Sequence, residues 1–282
     1  MRARVPASSA NLGPGFDVLA VALELYVEVS VEPARHLVVL TSGEGDHLPA
    51  DVEHLAARVA RGVTGHDRLR ISVHSDIPLG RGLGSSAALA VAAAAAAGAT
   101  DPFAWGVHVD GHPENAAASA FGGLVAATMV DGEPVWRRLA LDPELVFVTV
   151  VPDVELLTAD ARQVLHLSVD RADAVFNLGR MALLIAGLAE RSQLVAGAGD
   201  DRLHQDARAA LFPVSSAILA GLRQAGALTS FWSGAGTTLV AVCDRESADV
   251  VRDAGEALLA AHRVPGRSLL LEVERAGITL LP

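Results

Sequence analysis

Three glycines in five residues lie inside Pro78-Leu79-Gly80-Arg81-Gly82-Leu83-Gly84-Ser85-Ser86-Ala87-Ala88. Glycine lets backbone N–H groups turn into a tight loop with no Cβ in the way. The stretch opens an alanine-rich run. As a helix, that run would present unpaired N–H groups and a positive dipole end to the loop. Such a cradle holds anions, phosphate most often. The paired serines add to this: one hydroxyl can cap the helix, and the other is free to reach a metal ion or a phosphate. The Walker pattern G-x-x-x-x-G-K-[ST] does not fit, because the chain contains no lysine. The glycines read G-x-G-x-G, not the dinucleotide fingerprint G-x-G-x-x-G. A plain strand-to-helix turn with no ligand remains the competing reading of the glycines alone.

Four more islands are rich in polar and small residues. Pro6-Ala7-Ser8-Ser9-Ala10-Asn11-Leu12-Gly13-Pro14-Gly15-Phe16-Asp17 is either a surface turn or a binding loop, and composition favours the turn. Asp110-Gly111-His112-Pro113-Glu114-Asn115 packs two carboxylates, an imidazole and an amide into six residues. In Thr158-Ala159-Asp160-Ala161-Arg162, Thr158 can cap a helix that presents Arg162 a turn later. Ser233-Gly234-Ala235-Gly236-Thr237-Thr238 is a second glycine-rich loop. Each residue also has an ordinary reading. Arg162 and Arg208 read as surface charges, Asp17 as a turn closer, and Glu114 as a solvated first-turn carboxylate. His112 and His204 read as satisfying local hydrogen bonds.

The elements that must carry these islands follow from periodicity. Residues 23–42 alternate in strand fashion, and a helix follows at about 51–62. A strand at 69–75 leads through the glycine loop into a helix at 85–97, with Gly98 as its C-cap. Strands are expected at 124–129, 146–151, 238–243 and 268–274. Helices are expected at about 159–165, 173–190, 205–224 and 246–261. The pattern is α+β in two lobes, 1–142 and 143–282, divided near Asp142-Pro143. The 51% hydrophobic fraction excludes disorder. A net charge of -11 argues against nucleic-acid binding, though not against a nucleotide ligand. Cys243, in an apolar run, reads as a small core residue and fits a reducing compartment. The N-terminus lacks a signal-type apolar core, and the longest apolar stretch, about Ala87 to Ala99, is too short to span a bilayer. The expectation is a soluble cytoplasmic protein without a membrane partner, and a homodimer by base rate.

Together the islands resemble the small-molecule kinase superfamily of galactokinase, homoserine kinase, mevalonate kinase and phosphomevalonate kinase. Three motifs carry this in order: Pro6 to Asp17, Pro78 to Ala88 and Ser233 to Thr238. Features resembling the homoserine kinase branch lie at 5–23, 110–115, 155–162, 173–177 and 202–208. The resemblance implies a two-lobed α+β small-molecule kinase fold with its active site in the cleft between lobes. It implies ATP and magnesium, and transfer of the γ-phosphoryl group to the hydroxyl of L-homoserine. Pro78 to Ala88 would bind ATP, with Gly80 to Ser86 around the phosphates. Ser86, or Ser85, and Asp110 would hold the metal. Asn11, Asp17, Asn115, Arg162 and Arg208 would hold the amino acid, and Asn115 and Asp110 would serve catalysis. The chemistry agrees: a zwitterion needs a carboxylate such as Asp17 for its ammonium and guanidinium groups for its carboxylate. The resemblance also implies no strong general base.

Some positions depart from the family pattern. Asp110 and Glu114 stand where E-G-H-P-D-N has Glu and Asp, Thr237 where proline is common, and Phe231-Trp232 where Ala-Leu is usual. The segment from Gly98 to Val109 is short, which suggests a truncated helix. Two other readings stay open: a kinase of another small alcohol, and a nucleotide-binding relative without turnover.

Overall fold

The computed structural model describes all 282 residues. The chain opens with β1 (Arg2–Ala10) and turns into β2 (Leu19–Pro33), the two pairing antiparallel along most of their length. Half of the first polar island is therefore strand, and the loop begins only at Asn11. Serine and alanine are weak strand formers; burial of Ala7 to Ala10 and the ladder to β2 override that preference. Pro6 is tolerated because the register shifts between Pro6 and Ala7. Next come β3 (Val38–Gly43), α1 (Leu55–Thr64) and β4 (Leu69–Ser75). α1 starts later than expected because the His54 imidazole accepts from the Ala56 amide as its cap.

The helix α2 (Ser85–Ala97) matches its expected bounds, and Gly98 closes it in the left-handed conformation. α3 (Pro102–Asp110) is two and a half turns, capped by the Asp101 carboxylate with Pro102 in the first turn, so the short segment still builds a regular helix. α4 (Pro113–Phe121), β5 (Leu124–Val130) and β6 (Glu133–Arg138) follow. The second half contains β7 (Leu145–Pro152), α5 (Thr158–Gln163), α6 (Arg171–Ala189), α7 (Gln205–Ala209) and α8 (Ser215–Gln224). It ends with β8 (Thr229–Trp232), β9 (Leu239–Asp244), α9 (Ala248–Ala261), β10 (Gly266–Leu271) and β11 (Thr279–Leu281). The expected helix at 205–224 is split between α7 and α8 at Phe212-Pro213, since proline cannot supply the interior N–H.

Two sheets result. One runs β11-β1-β2-β4-β3, with β5 on β2 and β6 on β5; the other runs β10-β7-β9-β8. The strand made last thus lies at the edge beside the strand made first. β7 is apolar except for Thr149 because it is buried on both faces. Leu145, Phe147 and Val151 point into a core shared with the first sheet and α2, while Val146, Val148 and Val150 meet α8 and α9. Cys243 is a free, buried member of that second core, as its apolar run implies. One helix, α6, is long and apolar enough by length and composition to cross a membrane, yet its inner face is packed on its own lobe. The helix itself lies where one is expected, at 173–190; its length and hydropathy go beyond the expectation, which took unbroken alanine at Ala87 to Ala99 as the longest apolar stretch, whereas α6 mixes aliphatic with polar residues.

Candidate active site

The first and third family-like motifs clamp the glycine loop. Gly80, Arg81, Gly82 and Leu83 each have the backbone carbonyl tied down, by Leu156 N (2.9 Å), Thr238 N (3.2 Å), Ser233 Oγ (2.6 Å) and Ser8 N (3.2 Å). With the carbonyls turned outward, the amides from Gly80 to Ala87 donate to nothing within the chain. These free donors meet the start of α2, the arrangement that receives an anion. Gly84 caps α2 with φ +65°, and a Cβ there would run into Ser8 Oγ. Neither serine caps the helix: α2 has no side-chain cap, so the hydroxyls of Ser85 and Ser86 are both unspent.

Asn11, Asp17, Asp110, Asn115, Arg162 and Arg208 share one cavity of about 300 Å³ with Gly80, Gly82, Gly84, Ser85 and Ser86. It lies between the lobes, the second half of the chain supplying Thr158, Arg162, Arg208 and Gly234. The remaining loop residues lie off its lining. Leu83, Ala87 and Ala88 are in the core, and Leu79 lines a neighbouring, more apolar cavity of about 400 Å³ with Leu48, Leu55 and Leu89. Ser85 and Ser86 border both cavities, so an elongated ligand at the loop would have one end in each.

The charged residues are already arranged. Arg162 holds Asp17 with two hydrogen bonds, Nη2 to Oδ1 at 2.7 Å and Nη1 to Oδ2 at 3.2 Å. Arg208 is fully buried rather than a surface charge. Its Nε donates to Ala161 O (3.2 Å), and Nη1 donates to Gly234 O (2.8 Å) and His204 Nδ1 (3.1 Å). Accepting at Nδ1, His204 donates from Nε2 to Gly13 O at 2.8 Å. Burial, more than any neighbour, pushes its pKa down, so it stays neutral. Phe16 stacks on His204, with ring centres 5.0 Å apart, and lies under both guanidinium groups. Burial also lowers the Arg208 pKa to about 10, helped by Arg162. The fork is thus held by neutral acceptors, in reach of an incoming carboxylate.

Asn11 is largely committed to the loop itself: Nδ2 donates to Gly234 O (2.8 Å), and Oδ1 accepts from Asp17 N (3.0 Å). Asn11 and Asp17 both adopt positive φ, which their side chains tolerate. Asn115 Oδ1 accepts from Ser8 Oγ at 2.9 Å, which fixes which end of the amide is available. Thr158 does not cap α5; it is the first helical residue, after an uncapped Leu157. Glu114 is not solvated: it is 3% exposed, and its Oε2 has no partner. Burial raises the Glu114 pKa to about 7, with Asp17 and Asp110 adding repulsion. Burial likewise raises Asp110 to about 6, opposed by His112 and the Asn115 amide. Glu114, read from the sequence as a solvated carboxylate, lines the cavity, and Ser8, given no role of its own there, holds Asn115 from behind it. Proximity to Asn115 in the motif was the only signal for Glu114.

A two-lobed fold whose open-amide glycine loop faces a charged cavity defines a small-molecule phosphotransferase. Residues 50–123 match the GHMP kinases N terminal domain, and residues 177–261 match GHMP kinases C terminal. The chain is 40% identical to a homoserine kinase of Streptomyces avermitilis, covering 100% of this chain and 96% of that one. It is 39% identical to a homoserine kinase of Streptomyces coelicolor, over 100% and 94%. A crystal structure of homoserine kinase from Cytophaga hutchinsonii superposes with a TM-score of 0.87 at 25% identity, covering 100% of this chain and 97% of that one. The chain belongs to the GHMP kinase family.

Proposed function

We propose that the protein transfers the γ-phosphoryl group of ATP to the side-chain hydroxyl of L-homoserine, giving O-phospho-L-homoserine, a step towards threonine. The observation that carries this reading is the presence of Asp17, Arg162 and Arg208 in one cavity with Asn115 and the open amides of the glycine loop. The full-length similarity to homoserine kinases supports it. Nothing in a sugar or in mevalonate calls for a carboxylate and two guanidinium groups together.

In this reading the apolar cavity beside Leu79 takes the nucleoside, and the loop amides take the phosphates. Arg162 and Arg208 receive the amino acid's carboxylate, Asp17 its ammonium, and the Asn115 amide orients the hydroxyl. Asn11 contributes by holding Asp17 and Gly234 in place. Alignment and charge neutralisation are most of what phosphoryl transfer asks of a protein. As the family resemblance implies, no side chain is assigned the part of a strong general base in this reading, and the hydroxyl proton leaves to the phosphate or to water.

The donor set fits magnesium. Asp110 and the unspent hydroxyls of Ser85 and Ser86 are all oxygen ligands, suited to a hard cation. No three His, Cys, Asp or Glu side chains cluster tightly enough to hold a metal alone, so the nucleotide would complete the coordination. When bound, the ion would offset charge on the phosphates. We also read residues 1–142 and 143–282 as the two lobes, with β11 returned to the first. The reading includes a cytoplasmic protein without nucleic-acid or membrane partners, working as a homodimer.

ADP release tested with L-homoserine, other hydroxy amino acids, mevalonate and sugars decides the acceptor. Turnover with L-homoserine well above the others is expected. Preference for mevalonate or a sugar would establish the other-alcohol reading. ATP binding with no product from any acceptor would establish a relative without turnover.

A further inference from the structure

An arginine side chain has five N–H donors and no acceptor. Arg208 spends three of them within the chain. Nε donates to Ala161 O, and Nη1 donates both its hydrogens, to Gly234 O and to His204 Nδ1. Nη2 makes no hydrogen bond in the chain, and Arg208 lines the cavity. The guanidinium is planar and rigid, so fixing Nε and both hydrogens of Nη1 also fixes the direction of Nη2. Two of the three acceptors are backbone carbonyls, placed by the fold. The third, His204, is a side chain with no exposed surface, and the phosphoryl transfer gives it no part.

His204 is itself held from several sides. It stands at the entry to α7, a helix of only five residues that cannot keep its place unaided. The Asp201 carboxylate pins that entry. It accepts from the amides of Leu203 (3.0 Å), His204 (2.8 Å) and Gln205 (2.8 Å), and from Asn177 Nδ2 (2.6 Å). Across the cleft, Gly13 O can only accept, so its 2.8 Å bond to Nε2 puts the ring proton on that nitrogen. Nδ1 is left with a lone pair, the one form of the ring that can receive a guanidinium N–H. Phe16, stacked on the imidazole, fixes its plane.

We propose that His204 is a positioning residue for acceptor binding: its neutral ring takes the Nη1 hydrogen that Gly234 leaves, and so locks the Arg208 fork with Nη2 aimed at the acceptor's carboxylate. The proposal rests on reading Arg208 as a ligand of that carboxylate. Without the imidazole, one Nη1 hydrogen is left buried and unpaired, and the guanidinium is free to turn in search of an acceptor. Arg208 would then still be present and charged, but no longer presented.

Steady-state kinetics with L-homoserine and ATP varied in turn test this, with the unfolding midpoint of each variant measured alongside. His204→Leu should raise the KM for L-homoserine about tenfold or more, the scale of a lost bond to a charged group, with the KM for ATP within about twofold. In His204→Asn the amide oxygen stands where Nδ1 stood and can receive Arg208, so most of that loss should be recovered. In His204→Gln the amide stands where Nε2 stood and reaches Gly13 instead, so the KM should stay high. In an Arg208→Ala background, His204→Leu should add nothing further to the KM, because both act through one group. An unmoved homoserine KM in His204→Leu overturns the proposal, as does an equal rise in both KM values. So does a His204→Gln that outperforms His204→Asn, or a double variant in which the losses add. If His204→Leu does not fold, the comparison of Asn with Gln decides. Wild type that releases no ADP with L-homoserine brings down the acceptor assignment and this inference with it. Wild-type turnover with unmoved variants brings down this inference alone.

Discussion

Glu114 shows how much a single side chain can change meaning between sequence and structure. In the sequence it is an acid in a helix's first turn, where such residues are usually solvated and help the dipole. In the structure it is buried with one oxygen unpaired, and its pKa rises from the usual 4.5 to about 7, chiefly through burial. The sign follows from linkage. Between pH 4.5 and 7 the folded state binds this proton more tightly than the unfolded chain does, so stability falls as pH rises through that window. Glu114→Gln should remove the effect. In denaturant unfolding without ligands, the variant should gain on wild type by on the order of 2 kcal/mol between pH 5 and pH 8. Parallel profiles for the two proteins would show that Glu114 ionises as freely folded as unfolded. Asp110, raised to about 6, gives wild type a second loss of the same sign, which the variant retains.

At the scale of elements, the passage from β4 through the glycine loop into α2 was legible almost residue by residue. Alanine favours helix, Gly98 supplies a left-handed stop, and the glycine spacing marks the turn. What the sequence could not show was the clamp. The free amides exist because Ser8, Ser233, Leu156 and Thr238 hold the carbonyls away, and those partners come from distant segments. For the same reason Pro6 to Ala10 read as loop: its strand character comes from its neighbours and not from its own propensities. The split at Pro213 was legible and overlooked, whereas the burial of Arg208 was not, since only packing of α7 against α5 and the second glycine loop encloses it. Gly84→Ala tests the clamp. The new methyl meets Ser8 Oγ at a left-handed backbone, so stability should drop by about 1–2 kcal/mol and ATP affinity at least tenfold. Gly65→Ala, also left-handed but facing open space, should lose only a comparable stability and leave ATP binding alone. Equal ATP affinity in both variants would mean the loop does not rely on that close contact.

At the scale of the molecule, the first sheet is completed only by β11, whose Thr279, Leu280 and Leu281 pair with Arg4, Ala3 and Arg2. Removing residues 279–282 should lower the unfolding free energy by on the order of 1–3 kcal/mol, read from denaturant curves, by stripping a ladder from the edge of β1. An unchanged midpoint would make β11 an ornament of the edge. The same pairing bears on how the protein is made. A ribosome works from the N-terminus at about 5–20 residues per second, and everything between β1 and β11 must emerge before the two can meet. For most of its synthesis the nascent chain carries an open β1 flank, a site where another half-made copy or a chaperone can dock before the chain's own final strand arrives.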